Sequence, residues 1–247
     1  MNLSRDVTQF VHFILDECVP PIIRDSRWFN WLPFSLLFRD QAGVFVGFKD
    51  AAYDMTVEEF RDAYRKTASV HLQRPTDLND ACTRAILAHT CGDRVLEVGC
   101  GRGYLAAQLA ESNTVTACDM VIPDHLPYRF PAITFREEVA ERLTFPDSAF
   151  DTVICTHTLE HVRDLSRAIA ELRRVATRRL IVVVPKQRPF RHTFDLHLHF
   201  FPLRCMLLAW FPPDDRTSSS RLTVLGGDWY YVEDRRGPET GERKIDR

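Results

Sequence analysis

The sequence lacks any apolar run approaching the ~20 residues that cross a bilayer, and it has no excess of charge of one sign. Its 34 acidic residues nearly balance 32 basic ones, for a net charge of -2. No global positive field therefore draws the chain to nucleic acid or anionic lipid. Lysine is scarce: only Lys49, Lys66, Lys186 and Lys244 stand among the basic residues, and the rest are arginine. Seven cysteines, at 18, 82, 91, 100, 118, 155 and 205, form no C-x-x-C pair and no His/Cys cluster with zinc spacing. Such a scattered, odd set suits reduced thiols in a cytosol and not a disulfide framework. Asp6, His12, Asp16 and Glu17 interrupt the first turns, so no secretory signal is expected there. Internal repeats are absent. A cytoplasmic, soluble protein is expected.

What is present is an average globular composition, 45% apolar and 27% charged over 247 residues, ample for one full core. Residues 1–90 read as a helical N-terminal extension or cap. Val7, Phe10, Val11, Ile14 and Leu15 keep helical spacing from Asp6 to Cys18, and Pro20-Pro21 ends the run. The aromatic stretch at 28–38 is a core or dimer contact, a substrate lid, or an interfacial patch. Thr56-Val57-Glu58-Glu59 is a capping box opening a helix with Phe60, Ala63 and Tyr64. Asp77 or Asn79 caps the next helix.

From 91 to 232 short apolar strands alternate with helices: 94–98, 114–118, 132–135, 151–156 and 180–184. A helix capped by Asp164 precedes the last of these. Near-continuous apolar runs separated by helices signal a parallel sheet covered on both faces. Gly226-Gly227 then joins 221–225 to 228–232 as a two-residue hairpin, so the sheet ends in an antiparallel pair. Residues 233–247 are polar and charge-balanced, and a disordered tail is expected there. Arg173, Arg174, Arg178 and Arg179 read as a solvated helix end complementing the dipole.

The most informative segment is Val95-Leu96-Glu97-Val98-Gly99-Cys100-Gly101-Arg102-Gly103, a strand with an acid followed by alternate glycines that open a helix. Glycine lets the backbone turn tightly and approach a ligand where any Cβ would intrude. A dinucleotide loop needs its third glycine where this chain has Tyr104, and a phosphate-binding loop needs Gly-Lys-Ser/Thr, so both patterns fail.

The E-x-G-x-G-x-G pattern instead resembles the first motif of the class I S-adenosylmethionine-dependent methyltransferases, closest to the methyltransferase type 11 group. Asp119 at the end of the second strand, the segment Leu143 to Asp151, and Leu159-Glu160-His161-Val162 continue the resemblance in order. It implies an α/β, Rossmann-like fold: a seven-stranded mixed sheet of order 3-2-1-4-5-7-6, strand 7 antiparallel, flanked by helices. It also implies S-adenosylmethionine as cofactor and S-adenosylhomocysteine as product. By this resemblance Glu97 meets the methionine amino group, and the amides near Gly99, Cys100 and Gly101 lie against the carboxylate and ribose. Gly103 completes the loop, Asp119 accepts the ribose hydroxyls, and Met120 lies along the adenine. An acid that often receives the adenine amine is replaced by Val139; Glu138, Glu141 or the backbone of Val139 and Ala140 substitutes. Thr156, ending strand four, is the remaining candidate cofactor contact.

Methyl transfer requires a positioned nucleophile and, for a hydroxyl, a base to take its proton. In parallel sheets such groups gather beyond the strand C-termini, which points to His157 and His161 after strand four and to residues 185–201 after strand five. Asp195, His197 and His199 alternate with apolar residues, so an extended strand would present all three on one face. That face is a solvated edge, a substrate-binding or general-base cluster, or a metal site. A metal needs a third anchor and a second shell that the sequence does not display, and none is assigned. Residues 74–79 and 193–202 weakly resemble methyltransferases of surface-polysaccharide clusters, which points to O-methylation of a sugar hydroxyl. The alternatives are O- or N-methylation of a lipid-like or secondary-metabolite acceptor, or a non-catalytic cofactor-binding subunit. The expected partners are a small-molecule or glycan acceptor and a second copy through the aromatic stretch.

Overall fold

The computed structural model describes residues 14, 18–26, 28, 29, 31, 42–68, 76–189, 191 and 195–237. A helical turn at Pro21–Arg24 precedes α1 (Ala42–Ala51), α2 (Val57–Ala68) and α3 (Asp80–His89). Then come β1 (Arg94–Val98), α4 (Tyr104–Leu109), β2 (Thr114–Asp119), α5 (His125–Arg129), β3 (Thr134–Glu137) and β4 (Phe150–Thr156). The chain continues through α6 (Leu165–Val175), β5 (Ala176–Pro185), α7 (Arg204–Leu208), β6 (Thr217–Leu225) and β7 (Asp228–Arg235). The strand order is β3-β2-β1-β4-β5-β7-β6. The first five strands run parallel, and β7 is antiparallel to both its neighbours, as expected.

Alternation along the central strands divides the core between the two faces. Leu96, Val98, Val153, Cys155, Leu180 and Val182 pack on one side with Leu165, Ile169 and Leu172 of α6. Val95, Ile154, Ile181 and Val183 pack on the other with Leu105, Leu109 and Ile86. Each fully buried Leu or Ile side chain contributes about 1.5–3 kcal/mol. Local signals agree with this packing. Asp164 accepts the Arg167 amide at 3.0 Å to start α6. Thr56 and Glu59 exchange the two bonds of a capping box, Thr56 N–H to Glu59 Oε2 at 2.8 Å and Glu59 N–H to Thr56 Oγ1 at 3.3 Å. Asn79 caps α3 through the Cys82 amide at 2.8 Å. It also donates from Nδ2 to Leu225 O and to Asp228 Oδ2, which fastens α3 to the terminal hairpin. Gly226 and Gly227, both at positive φ, make the turn of that hairpin.

Three expectations are corrected. The helix before β5 ends at Val175, so Arg178 and Arg179 lie on a strand. Arg173 is buried, because Glu233 on β7 takes its guanidinium at 2.5 Å. The polar tail does not start at 233: β7 runs to Arg235, since the fully buried Glu233 is bonded by Arg173, Arg235 and Tyr231. Only paired and hydrogen-bonded charges tolerate such burial. Residues 238–247, most of the expected helix 6–18 and most of the stretch 28–38 lie outside the described residues. Within that stretch Trp28 and Trp31 are exposed.

Candidate active site

Two groups of side chains meet beyond the C-terminal ends of β1, β2, β4 and β5. The first surrounds the glycine turn. Gly99, Gly101 and Gly103 all have positive φ, at 79°, 50° and 70°. A Cβ on Gly99 would stand 1.8 Å from Thr158 Oγ1, so only glycine passes there; above Gly101 nothing lies within 4 Å. The amides expected to face a ligand are engaged within the protein. Gly99 N–H and Cys100 N–H both donate to Cys118 O, at 2.8 and 3.0 Å. Gly101 N–H donates to Asp119 Oδ2 at 2.9 Å. Backbone donors thus hold the turn against β2, and Cys100 itself is buried in the core.

Glu97 is 2% exposed and its Oε2 has no hydrogen-bond partner among the described residues. Burial, opposed by the Ala106 amide, raises its pKa to about 8. An orphaned carboxylate oxygen beside an open glycine turn fits a ligand ammonium. Asp119, half-buried, also has its pKa raised by burial, against bonds from the Gly101 and Val121 amides. It therefore positions the turn. Met120 packs on the cluster of Phe48, Ala52, Phe60, Ala63 and Leu196, so α1 and α2 pack against the residue that follows β2. Val139 is half-buried and bridges to Arg142, Ala140 is in the core, and Thr156 is buried at the end of β4. Both acids proposed for the adenine end already accept hydrogen bonds within the protein. Glu138 accepts from Thr144 N–H and Oγ1, and Glu141 accepts from the Arg163 amide.

The second group gathers the histidines. His157 adopts φ 49° and is bracketed by Glu160 Oε1 and Asp228 Oδ2, each 3.5 Å from a ring nitrogen. Burial lowers its pKa, but these carboxylates outweigh that and raise it to about 10. It is a cation at neutral pH and is unsuited to take a proton, which corrects the expected base role. The strand expected at 194–199 is also absent among the described residues. Leu196 turns at φ 55° and buries in the cap cluster, breaking the alternation. His197 Nδ1–H consequently donates to Gln187 Oε1 at 2.7 Å with Asp195 Oδ2 at 3.5 Å, whereas His199 Nε2–H turns away to Val162 O at 2.9 Å. Burial lowers the His199 pKa.

His161 and His197 meet edge to face, with centroids 4.7 Å apart, and Tyr64 packs on His161 at 5.7 Å. The loop is held there because the Leu198 and His199 amides both donate to Glu160 O. Sequence reasoning missed Glu160, Asp228, Gln187, Tyr64 and Lys49. Glu160 was adjacent to His161, and Asp228 to the hairpin glycines, but no spacing rule joins them across the fold. Lys49 lies 4.1 Å over Phe200. Burial lowers its pKa to about 8 against the attraction of Asp195 and Asp25.

Residues 96–183 match a family described as a methyltransferase domain. A ubiquinone biosynthesis O-methyltransferase of Paracidovorax citrulli is 41% identical over 87 residues, 32% of this chain and 37% of that protein. The 27-O-demethylrifamycin SV methyltransferase of Amycolatopsis mediterranei is 26% identical over 138 residues, 52% of this chain and 51% of that protein. The chain thus spans between about a third and a half of the length of these curated relatives. Among solved structures, the Burkholderia thailandensis 1,6-didemethyltoxoflavin-N1-methyltransferase, bound to its substrate and S-adenosylhomocysteine, superposes with a TM-score of 0.55 at 18% identity. That superposition covers 73% of this chain and 87% of that one. The strand order, the glycine turn after β1, the acid ending β2 and the family match converge: residues 96–183 carry a methyltransferase domain, in the fold of the class I S-adenosylmethionine-dependent methyltransferases.

Proposed function

We propose that the protein transfers the methyl group of S-adenosylmethionine to a hydroxyl of a sugar or polysaccharide-related acceptor. The observation that carries the cofactor assignment is the buried, unbonded Oε2 of Glu97 beside the glycine turn. Bound there, the cofactor supplies a methyl group already activated by its sulfonium. Glu97 would hold the amino group, Asp119 the ribose hydroxyls, and the half-buried Met120 and Val139 would flank the adenine. The open space above Gly101 would admit the ribose and methionine backbone.

For the acceptor, His161 and His197 are the candidate bases, with Asp195 beside His197 and Tyr64 beside His161. In-line transfer leaves the protein to orient the hydroxyl and accept its proton, worth ~100- to 10,000-fold in rate. The polar set of His161, His197, Asp195 and Lys49 suits a hydroxyl-bearing acceptor. A lipid-like or secondary-metabolite acceptor is the second reading, favoured by the aromatic cluster of Phe48, Phe60 and Tyr64 beside Met120. The ubiquinone biosynthesis O-methyltransferase and the 27-O-demethylrifamycin SV methyltransferase among its relatives support that reading. A cytoplasmic location, and a dimer through the stretch 28–38, remain parts of the proposal; no described helix is long and apolar enough to cross a membrane.

Calorimetric titration with S-adenosylhomocysteine, comparing wild type with Asp119→Ala, tests the cofactor assignment. Micromolar binding lost in the variant is expected; no binding to wild type would overturn it. A methyl-transfer screen over nucleotide sugars, glycans, quinols and polyketides then separates the acceptor readings. His161→Ala and His197→Ala identify the base by a loss of kcat at saturating substrate.

A further inference from the structure

Among the described residues, Glu160, His161 and His197 bring one carboxylate oxygen and two imidazole nitrogens within 4.8 Å of one another. We propose that these three side chains form a binding site for a divalent transition-metal cation of the Zn2+ class. Two histidines and one carboxylate are the donor set of three-ligand sites that keep a position open for water or a substrate oxygen.

The burial of Glu160 points to a cation. Its carboxylate is fully buried, and neither oxygen accepts a hydrogen bond among the described residues. The His157 ring stands 3.5 Å from Oε1 and supplies charge to one side only. A fully buried carboxylate without hydrogen bonds is costly unless a second cationic partner is supplied.

The surrounding shell matches what a metal-bound imidazole needs. His197 donates Nδ1–H to Gln187 Oε1, with Asp195 alongside, so its Nε2 carries the lone pair a metal requires. The ligands come from two segments that are fixed together. The turn after β4 supplies Glu160 and His161, and the loop after β5 is tied to it by two amide bonds to Glu160 O. Tetrahedral coordination at ~2.1 Å needs ligand atoms about 3.4 Å apart, so side-chain rotation must close the remaining distance.

The site also lies beside the candidate cofactor pocket. Tyr64 packs on His161, and its buried hydroxyl feels both Glu160 and Asp119. An ion there would take an acceptor hydroxyl in its open position and ease release of that proton to solvent, with His161 and His197 then serving as ligands in place of bases. This last role rests on the methyl-transfer reading, whereas the cation site does not.

The full chain, stripped with a chelator and dialysed, is titrated with Zn2+ alone by calorimetry and with Co2+ followed by visible d–d absorption. About one equivalent of each is expected, with the intense Co2+ band of low coordination number. Glu160→Gln and His197→Gln should each weaken binding roughly tenfold or more, and replacing the exposed His125 with Gln should leave it unchanged. Near-ultraviolet circular dichroism without metal establishes that each variant is folded; if Glu160→Gln is not, His197→Gln and His161→Gln decide. No uptake by wild type, or undiminished uptake by the folded ligand variants, overturns the proposal. Neither result bears on cofactor binding, which the S-adenosylhomocysteine titration reads separately.

Discussion

Gly99 and Thr158 are so closely apposed that a methyl group on the glycine would lie 1.8 Å from the threonine hydroxyl. Thr158 Oγ1 in turn donates to Thr156 O at 2.9 Å. The first turn after β1 is thereby keyed to the turn after β4, and the two halves of the candidate site share one wall.

Alanine at the two neighbouring glycines should separate stability from binding. Gly99→Ala meets both a positive φ and the Thr158 contact, and should lose about 2 kcal/mol or more of stability. Gly101→Ala also takes a positive φ but meets open space, and should lose only about 1 kcal/mol, the left-handed cost alone. Its new methyl group projects into the candidate ligand space, so S-adenosylhomocysteine affinity should fall while the melting temperature changes little. Equal binding by Gly101→Ala and wild type would sink the placement of the ligand.

Proton release should accompany cofactor binding. Burial raises the Glu97 pKa from the ordinary 4.5 to about 8, so the carboxyl is mostly protonated in the free protein at pH 7. Because the folded value is the higher one, its contribution to stability is present below pH 4.5 and is lost as pH rises through about 8. A ligand ammonium favours the charged form. Titrations at pH 7 in buffers of different ionisation enthalpy should therefore report about one proton released per site, and Glu97→Gln should abolish that release.

Above pH 8 a different group governs stability. The carboxylates of Glu160 and Asp228 raise His157 from 6.5 to about 10 despite its burial. Its stabilisation is complete below pH 6.5 and is lost as pH rises through 10. Melting temperatures followed from pH 8 to 10, where Glu97 has largely titrated, should fall in wild type and stay flatter in His157→Gln. At pH 7 that variant should be less stable by on the order of 3 kcal/mol, since it leaves two buried carboxylates without their cation.

The terminal hairpin should depend on its buried ion pairs. Glu233 is fully buried between Arg173 and Arg235, and Tyr231 donates to it at 2.7 Å. Arg173→Met should cost about 1.5–3 kcal/mol by removing one of the two guanidinium partners of Glu233, with Arg235 left to neutralise it, seen as a lower denaturant midpoint. The double variant Arg173→Met, Glu233→Gln should recover part of the loss. Full additivity of the two single changes would show that the pair is uncoupled.

Much of the fold was readable along the chain because its signals are local. The apolar runs of β1, β4 and β5, the caps at Thr56, Asn79 and Asp164, and the glycine pair at 226–227 each act within a few residues. The glycines after β1 were legible for the same reason, since a tight turn at positive φ needs them, whereas the acids Glu97 and Asp119 were legible only through the resemblance that their motif carries. Strand ends were less legible. Arg178 and Arg179 in the first half of β5 and the last residues of β7 are charged, and only partners across the sheet decide whether such residues pair or fray.

The meeting of particular side chains was left to the tertiary structure. His197 reaches Glu160 and His161 because Leu196 turns at positive φ into the cap cluster and two amides bind Glu160 O. The same turn sends His199 away, which strict alternation had placed beside it. His157 became a cation through Asp228, 71 residues further on and brought close only by the pairing of β7 alongside β5. The sequence by itself determined the backbone that carries the site, because local conformational preference and hydrophobic period act over short stretches. Which imidazole is charged, which is oriented and which carboxylate is left buried was decided by long-range packing, because those properties belong to neighbours that only the folded chain supplies.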